Sequence, residues 1–349
     1  MARRKSKTEL RKNRATRPAA SDRSARAKIP RPLFTAPAVR LHWMHAVLLL
    51  FILGIGVVLQ WPGLGNEMLE RVHGWRQAQT AMTSRNFVRD GMNPFVARVD
   101  YIGNGQMQLE LPVYQYLVAV CYRVFGINEV WGRIVALLFG MCSAAVLFLI
   151  GRLVWNARTG LLAAAVFSWS PLNVYFNRAF MPDSATIFFT LLAFWAFLRF
   201  FRDHRAAHLI VASLSIALAL AGKPPIAVTV APPLAVALFL AHGRRFWRQG
   251  RLAVGLLAAV VVFAGWMQYS SYVNNNRSDD LGISFTNAGE FNEDLMKWYF
   301  GDDEQRGDPR TYRRIFRRTH DWFGHWIPAL AATAKTNGGV KAAAESIGR

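Results

Sequence analysis

The sequence is poor in the residues that soluble proteins place on their surfaces. Charged residues make up 18% of its 349 residues, acidic residues number 21, and cysteine occurs only twice. One of the two cysteines, Cys142, lies inside a long apolar run, which argues against a disulfide framework or a zinc site. The few charges are gathered between apolar windows, and this arrangement is typical of a chain embedded in a bilayer.

The apolar windows predict the number of membrane spans. A helix needs roughly 20 apolar residues to cross about 30 Å of hydrocarbon. Seven windows poor in charge meet or approach this length: residues 42–61, 131–152, 159–177, 183–201, 206–222, 224–242 and 252–272. The sequence therefore predicts an all-α integral membrane protein, a polytopic bundle of about seven transmembrane helices in residues 41–272.

The positive charge is concentrated at the N-terminus. Residues 1–40 hold 13 Lys and Arg and two acidic residues, so this segment carries about half of the net charge of +21. With almost no large apolar side chains it is predicted to be a disordered cytoplasmic tail near anionic lipid head groups. A nucleic-acid-binding arm and a cleavable signal peptide are both disfavoured.

Loop charges predict the orientation, because short cytoplasmic loops are enriched in Lys and Arg. With the N-terminus inside, two basic residues, Arg178 and Lys223, fall in outside turns. Nine fall in inside loops: Arg152, Arg158, Arg199, Arg202, Arg205, Arg244, Arg245, Arg248 and Arg251. This bias indicates a multi-pass protein of a bacterial inner membrane whose functional surface faces the periplasm.

Two polar regions are predicted on the outside. The first is a loop at residues 62–130, in which Glu70–Val88 and Pro112–Phe125 are predicted to be amphipathic surface helices separated by a turn at 103–105. The second is a polar tail at residues 273–349. It contains a predicted basic interfacial helix at Tyr312–Trp326 with Trp322 and Trp326 on one face.

An ordered set of motifs resembles a known enzyme family. The set comprises His73 to Thr80 (HGWRQAQT), Ser84 to Phe87 (SRNF), Gly91 to Pro94 (GMNP), Glu110 to Tyr114 (ELPVY), Phe125 to Glu129 (FGINE) with Arg133, Met181 to Asp183 (MPD), and Lys223 with Pro224. Across residues 42–275 the chain resembles the polyprenyl-phosphate-dependent glycosyltransferases of the membrane GT-C fold. The most similar members are those of family 39, which includes protein mannosyltransferases and lipid A aminoarabinose transferases.

The resemblance implies inverting sugar transfer from a polyprenyl-phosphate donor to a glycan, lipid or protein acceptor. Such a reaction needs a carboxylate for the acceptor proton and cations or a divalent metal ion for the leaving phosphate. Many family members carry an Asp-Glu pair in the first surface helix, where this chain has Arg76 and Gln77. The base is therefore expected elsewhere, and Glu110 matches the family's loop glutamate, although Leu111 replaces the lysine that commonly follows.

The candidate residues follow from these motifs. We expect Glu110 and Asp183 to act as base or metal ligand, with His73 as a weak second metal ligand. The expected donor-phosphate and substrate-binding residues are Arg76, Gln77, Thr80, Tyr114, Arg178 and Lys223. Each has a plainer alternative: Asp183 as a helix cap, Glu110 as a solvated loop charge, Arg76 as a snorkelling arginine and His73 as a packing residue.

Two other functions compete with this prediction. A transporter or flippase is expected to place charges near mid-membrane and to show repeated halves, and the sequence has neither feature. A noncatalytic or truncated membrane partner of such an enzyme is the second alternative, because related enzymes commonly continue through more spans and a further outside domain.

Overall fold

The described protein is helical and apolar. A computed structural model of the protein describes residues 42–65, 73–100, 105–242, 250–275 and 302–323. In chain order its helices are α1 (Trp43–Gln60), α2 (Gly74–Arg89), α3 (Val113–Phe125), α4 (Val130–Val154), α5 (Ala157–Trp169), α6 (Pro171–Phe176), α7 (Asp183–Asp203), α8 (Ala206–Gly222), α9 (Pro224–Ala227), α10 (Ala231–His242), α11 (Gly250–Asn275), α12 (Asp303–Gly307) and α13 (Pro309–Phe323). The all-α membrane architecture predicted from the sequence is confirmed.

Five stretches are long and apolar enough to cross a membrane. They are Trp43–Gly63, Val130–Val154, Asp183–Asp203, Pro224–Ala241 and Gly250–Asn274. The predicted fifth span is α8, which is apolar but has only 17 residues. The count of seven spans thus remains a prediction, and the N-terminal tail and most of the polar tail lie outside the described residues.

The predicted third span is interrupted. Helix α5 ends at Trp169, Ser170 adopts an extended conformation, and Pro171 begins the separate six-residue helix α6. Proline disfavours a helical conformation in the residue before it, and its own fixed φ suits the first turn of a new helix. The uncharged run at 159–177 therefore forms two helices rather than one.

Close backbone contacts hold the bundle together. A Cβ atom added at Gly151 of α4 would lie 2.6 Å from the Cα of Gly160 of α5. Small residues of this kind let membrane helices approach closely. Close approach matters because van der Waals packing, rather than the hydrophobic effect, drives helix association in a bilayer. A hydrophobic core also joins α4, α7, α8 and α11. Its buried side chains include Val146, Phe197, Ile216 and Ala259.

Helix α2 presents its polar side to the protein. In α2 the buried residues include Gln77, Thr80 and Ser84, whereas Trp75 is 61% exposed. Trp75 thus faces outward, as expected for a helix beside lipid, whereas Gln77, Thr80 and Ser84 face the rest of the chain. The predicted start of this helix and most of the turn at 103–105 lie outside the described residues.

Ion pairs fix the segment that follows α2. The Asp100 carboxylate accepts hydrogen bonds from Arg85, from Asn86 Nδ2 at 2.9 Å and from Arg89 at 3.2 Å. Partial burial raises the pKa of Asp100, but these hydrogen bonds and the charges of Arg85 and Arg89 outweigh that effect, so the pKa lies below its usual value. Arg85 and Arg89 of α2 thus pair with Asp100 and hold the following segment against this helix.

We expect Asp100→Asn to destabilise the loop at neutral pH by no more than about 1 kcal/mol, because the pairs are partly exposed. A carboxyl group whose pKa is lowered by folding contributes stability above its unfolded pKa, and this contribution is lost as the pH falls through its folded pKa. Thermal unfolding of the detergent-solubilised protein should thus show a smaller difference between variant and wild type at pH 3 than at pH 7. An equal difference at both pH values would contradict the ion-pair explanation.

Candidate active site

The loop carboxylate predicted to be functional is paired. Glu110 Oε2 accepts a hydrogen bond from Arg76 of α2, and Glu110 Oε1 accepts one from Gln115 Nε2 at 2.7 Å. The Glu110 side chain is only 8% exposed, and that of Arg76 is 21% exposed. Glu110 is therefore not a solvated loop charge, since both carboxylate oxygens are engaged at a largely buried position.

A second carboxylate and cation pair joins two spans. Lys223 follows the end of α8, and its Nζ donates to Asp183 Oδ1 at 2.7 Å and to Asp183 Oδ2 at 2.8 Å. Asp183 is the first residue of α7, yet the start of α7 has no side-chain capping hydrogen bond. The Asp183 carboxylate thus binds Lys223. The alternative that Asp183 caps its helix does not describe this contact.

One backbone hydrogen bond brings the two pairs to the same rim. The Leu111 N–H donates to the Ala221 carbonyl at 2.8 Å. Leu111 adjoins Glu110 and Ala221 lies two residues before Lys223, so chain geometry places the Cα atoms of Glu110 and Lys223 within about 16 Å of each other. The sequence analysis placed both acids on one side of the membrane, and this contact puts them at one end of the bundle.

The last described span also holds the Glu110 loop. Asn274, near the end of α11, accepts from the Gln108 N–H at 2.9 Å and donates from Nδ2 to the Gln108 carbonyl at 2.7 Å. Ser270 Oγ donates to the same carbonyl at 2.8 Å. Sequence reasoning missed Gln108, Gln115, Ser270 and Asn274. In the sequence, Gln108 and Gln115 are marked only as polar residues near Glu110. Ser270 and Asn274 are marked only as polar residues near the end of an apolar run.

Three predicted binding residues make structural contacts. Gln77 is fully buried, and its Oε1 accepts from the Phe180 N–H at 3.0 Å, which ties α2 to the chain just before Asp183. Thr80 is buried and bonds the Arg76 carbonyl at 2.8 Å. Tyr114 donates to the Gly132 carbonyl at 2.7 Å, and burial raises the pKa of its hydroxyl, so it remains a donor.

Two arginines contact Gly63, just beyond the end of α1. Arg133 is 1% exposed and donates from Nη1 to the Gly63 carbonyl at 2.6 Å. The Arg178 guanidinium lies directly against Gly63, since a Cβ there would be 1.4 Å from Arg178 Nη1. Only glycine leaves room for this contact. Arg178 is half-buried, and its cationic group lies beside the backbone at Gly63.

The predicted metal ligands do not come together as a metal site. His73 begins α2 with a left-handed backbone, and its ring contacts Tyr175 and Phe176 at centroid distances of 6.4 Å and 5.7 Å. A guanidinium rather than a cation-binding pocket adjoins Glu110. Among the residues that the structure describes, no three His, Cys, Asp or Glu side chains cluster as metal ligands. A metal requirement remains a prediction.

The space beside Glu110 is small. A cavity of about 20 Å³ lies among Arg76, Thr80, Glu110 and Gln115. This volume holds about one water molecule and excludes a sugar. In the described conformation the Arg76–Glu110 pair is closed, so a substrate that reaches Glu110 has to separate it from Arg76.

Comparison with known proteins agrees with the motifs. Residues 110–269 match the family model for dolichyl-phosphate-mannose-protein mannosyltransferase, and this range holds Glu110, Asp183 and Lys223. An uncharacterized protein of Aquifex aeolicus is 22% identical over 173 residues, which are 49% of this chain and 35% of that protein. The resemblance inferred from the motifs is thereby confirmed over a little under half of the chain.

A solved structure is also similar. The crystal structure of ArnT from Cupriavidus metallidurans bound to undecaprenyl phosphate aligns with 65% of this chain and 42% of that chain, at 19% identity and a TM-score of 0.48. The chain spans between about one third and two fifths of the length of these relatives.

Proposed function

We propose that the protein is a membrane glycosyltransferase that transfers a sugar from a polyprenyl-phosphate donor to a glycan, lipid or protein acceptor. The observation that carries this proposal is the rim where two carboxylates, Glu110 and Asp183, are each neutralised by a cation. Support also comes from the family match, which covers Glu110, Asp183 and Lys223 of this rim. The outward face of a bacterial inner membrane is the proposed location, because the inside loops hold most of the basic residues.

The paired charges suggest how the site works. A donor phosphate competes for Arg76, Lys223 and Arg178, since a guanidinium or ammonium group binds phosphate at least as well as carboxylate. When the phosphate takes the cation, the carboxylate is released to accept a proton. Donor binding thus frees a carboxylate to act as the base. Without donor, the Glu110 and Asp183 carboxylates stay in ion pairs with their cations.

The transfer itself is a direct displacement with inversion. The acceptor oxygen attacks the anomeric carbon, the bond from that carbon to the phosphate oxygen breaks, and the phosphate leaves with the electron pair. The acceptor proton passes to Glu110 or Asp183, and the cations hold the charge that develops on the leaving phosphate. The rim aligns donor and acceptor, which lowers the entropic cost of bringing them together.

The direct test supplies nanodisc-embedded protein with a panel of polyprenyl-phosphate sugars and membrane lipid acceptors. We expect one donor to be consumed, with release of polyprenyl phosphate and an inverted anomeric configuration in the product. A noncatalytic partner would bind a donor without consuming it, and a flippase would move the donor across the membrane unchanged. Either of these results would contradict the proposal.

A further inference from the structure

Helix α13 begins at a well-defined start. The Asp308 carboxylate accepts from the Arg310 N–H at 2.8 Å, and the Asp308 carbonyl accepts from the Thr311 N–H at 3.0 Å. Tyr312 Oη donates to the Arg306 carbonyl at 2.9 Å, which links α13 to the short helix α12. An aspartate at this position satisfies backbone donors that a helix start leaves open, which favours a helix that begins at Pro309.

The two sides of α13 differ sharply in chemistry. Tyr312, Ile315 and Phe316 recur at the three- and four-residue spacing of one helix face, and they are 57%, 56% and 74% exposed. The opposite face carries only cations in this part of the helix: Arg310, Arg313, Arg314 and Arg317. An exposed apolar stripe opposite a basic face is typical of helices that lie in a membrane interface.

In the part of the chain that the structure describes, more than half of each side chain on the apolar stripe is exposed. Among the helices that the structure describes, the main packing neighbour of α13 is α12. The nearby acids, Asp302, Asp303, Glu304 and Asp308, all precede α13, and residues 309–317 contain none. The charge on residues 309–317, about 14 Å of helix, is therefore of one sign, and Asp321, an acid within α13, lies one turn beyond Arg317.

The geometry points to an anionic lipid surface as the partner of α13. The apolar stripe enters the boundary between head groups and acyl chains, and the arginines bind lipid phosphates. A membrane is always adjacent to this chain, and guanidinium groups suit phosphate because they bind it in bidentate fashion. This proposal does not depend on the proposed enzymatic activity, because it concerns residues outside the carboxylate rim.

The test uses the full chain with Cys121→Ala and Cys142→Ala, so that a single introduced cysteine can carry an environment-sensitive fluorophore. Ile315→Cys places the label on the apolar stripe, and Arg314→Cys places it on the basic face as the matched control. Each protein is embedded in nanodiscs of phosphatidylcholine alone or of equal phosphatidylcholine and phosphatidylglycerol. Quenching by nitroxide-labelled lipid then reports contact with the bilayer.

We expect the Ile315 label to be quenched several-fold more in the anionic nanodiscs than in the neutral ones, and more than the Arg314 label in both. Replacing Arg310, Arg313 and Arg317 together by Gln should reduce quenching in anionic nanodiscs to the neutral level. Equal quenching in both lipids, or equal quenching of both labels, would overturn the proposal. A blue shift in detergent that grows with protein concentration would show a second copy as the partner and would also overturn it.

Discussion

Replacing Asp183 by Asn is expected to lower turnover with the preferred donor by about 10²-fold to 10⁴-fold, the range that general acid–base groups contribute. Asparagine keeps the size of the side chain but can neither accept a proton nor balance Lys223. The structure places this carboxylate 2.7 Å and 2.8 Å from Lys223 Nζ, at the first residue of a span. Initial rates in nanodiscs measure the effect.

The same helix provides the matched control. Asp203 is the last residue of α7 and pairs with Arg199 at 2.8 Å, so it is also an ion-paired carboxylate. It lies about 30 Å from Asp183, because each helical residue rises about 1.5 Å. Asp203→Asn should leave turnover within about twofold of wild type. Equal losses in the two variants would indicate general destabilisation and would remove the role of Asp183.

Replacing Glu110 by Gln should reduce turnover on the same scale of about 10²-fold to 10⁴-fold if this carboxylate takes the acceptor proton. Glutamine can still accept from Gln115, but it leaves the Arg76 guanidinium without its negative partner. Donor binding should therefore be kept or strengthened while turnover falls, since Arg76 is freed for phosphate. Single-turnover rates and donor binding, measured on the same preparation, separate the two effects.

Glu129 is the control for Glu110, because it lies in the same outside region and its side chain is exposed. Glu129→Gln should leave both donor binding and turnover unchanged. The comparison of Glu110→Gln with Asp183→Asn also identifies the base: the variant with the larger loss of single-turnover rate lacks it. Wild-type rates in Glu110→Gln would show that Glu110 only positions Arg76.

Most of the fold followed from the sequence, because a bilayer sorts residues by polarity over long windows. The spans at 42–61, 131–152, 183–201, 224–242 and 252–272 correspond to the five membrane-length stretches. The window at 159–177 was predicted to be a single helix, and this prediction was wrong. Apolar composition does not show that Pro171 disfavours a helical conformation at Ser170. The orientation of α2 was also hidden, since a polar stripe such as Gln77 and Thr80 can face water or buried protein partners.

The candidate site was predicted in composition but not in pairing. The acids and cations were named from motifs and expected on one side, and Glu110 and Asp183 indeed lie on one rim. Which cation meets which acid depends on tertiary packing, as in the bond between Leu111 and Ala221. The grip of Asn274 on Gln108 joins residues 166 positions apart, a separation that no local pattern reports.

The hydrogen bonds from Asn274 and Ser270 to Gln108 can form only late in synthesis. The loop with Glu110 is synthesised far earlier than α11, yet its backbone is held by Asn274 and Ser270 near the end of that helix. A nascent chain that has inserted only its early spans lacks the hydrogen bonds from Asn274 and Ser270, although Arg76, Gln115 and Ala221 can already contact the loop. The hydrogen bonds to Gln108 are therefore added only after the helix that starts at Gly250 has entered the membrane.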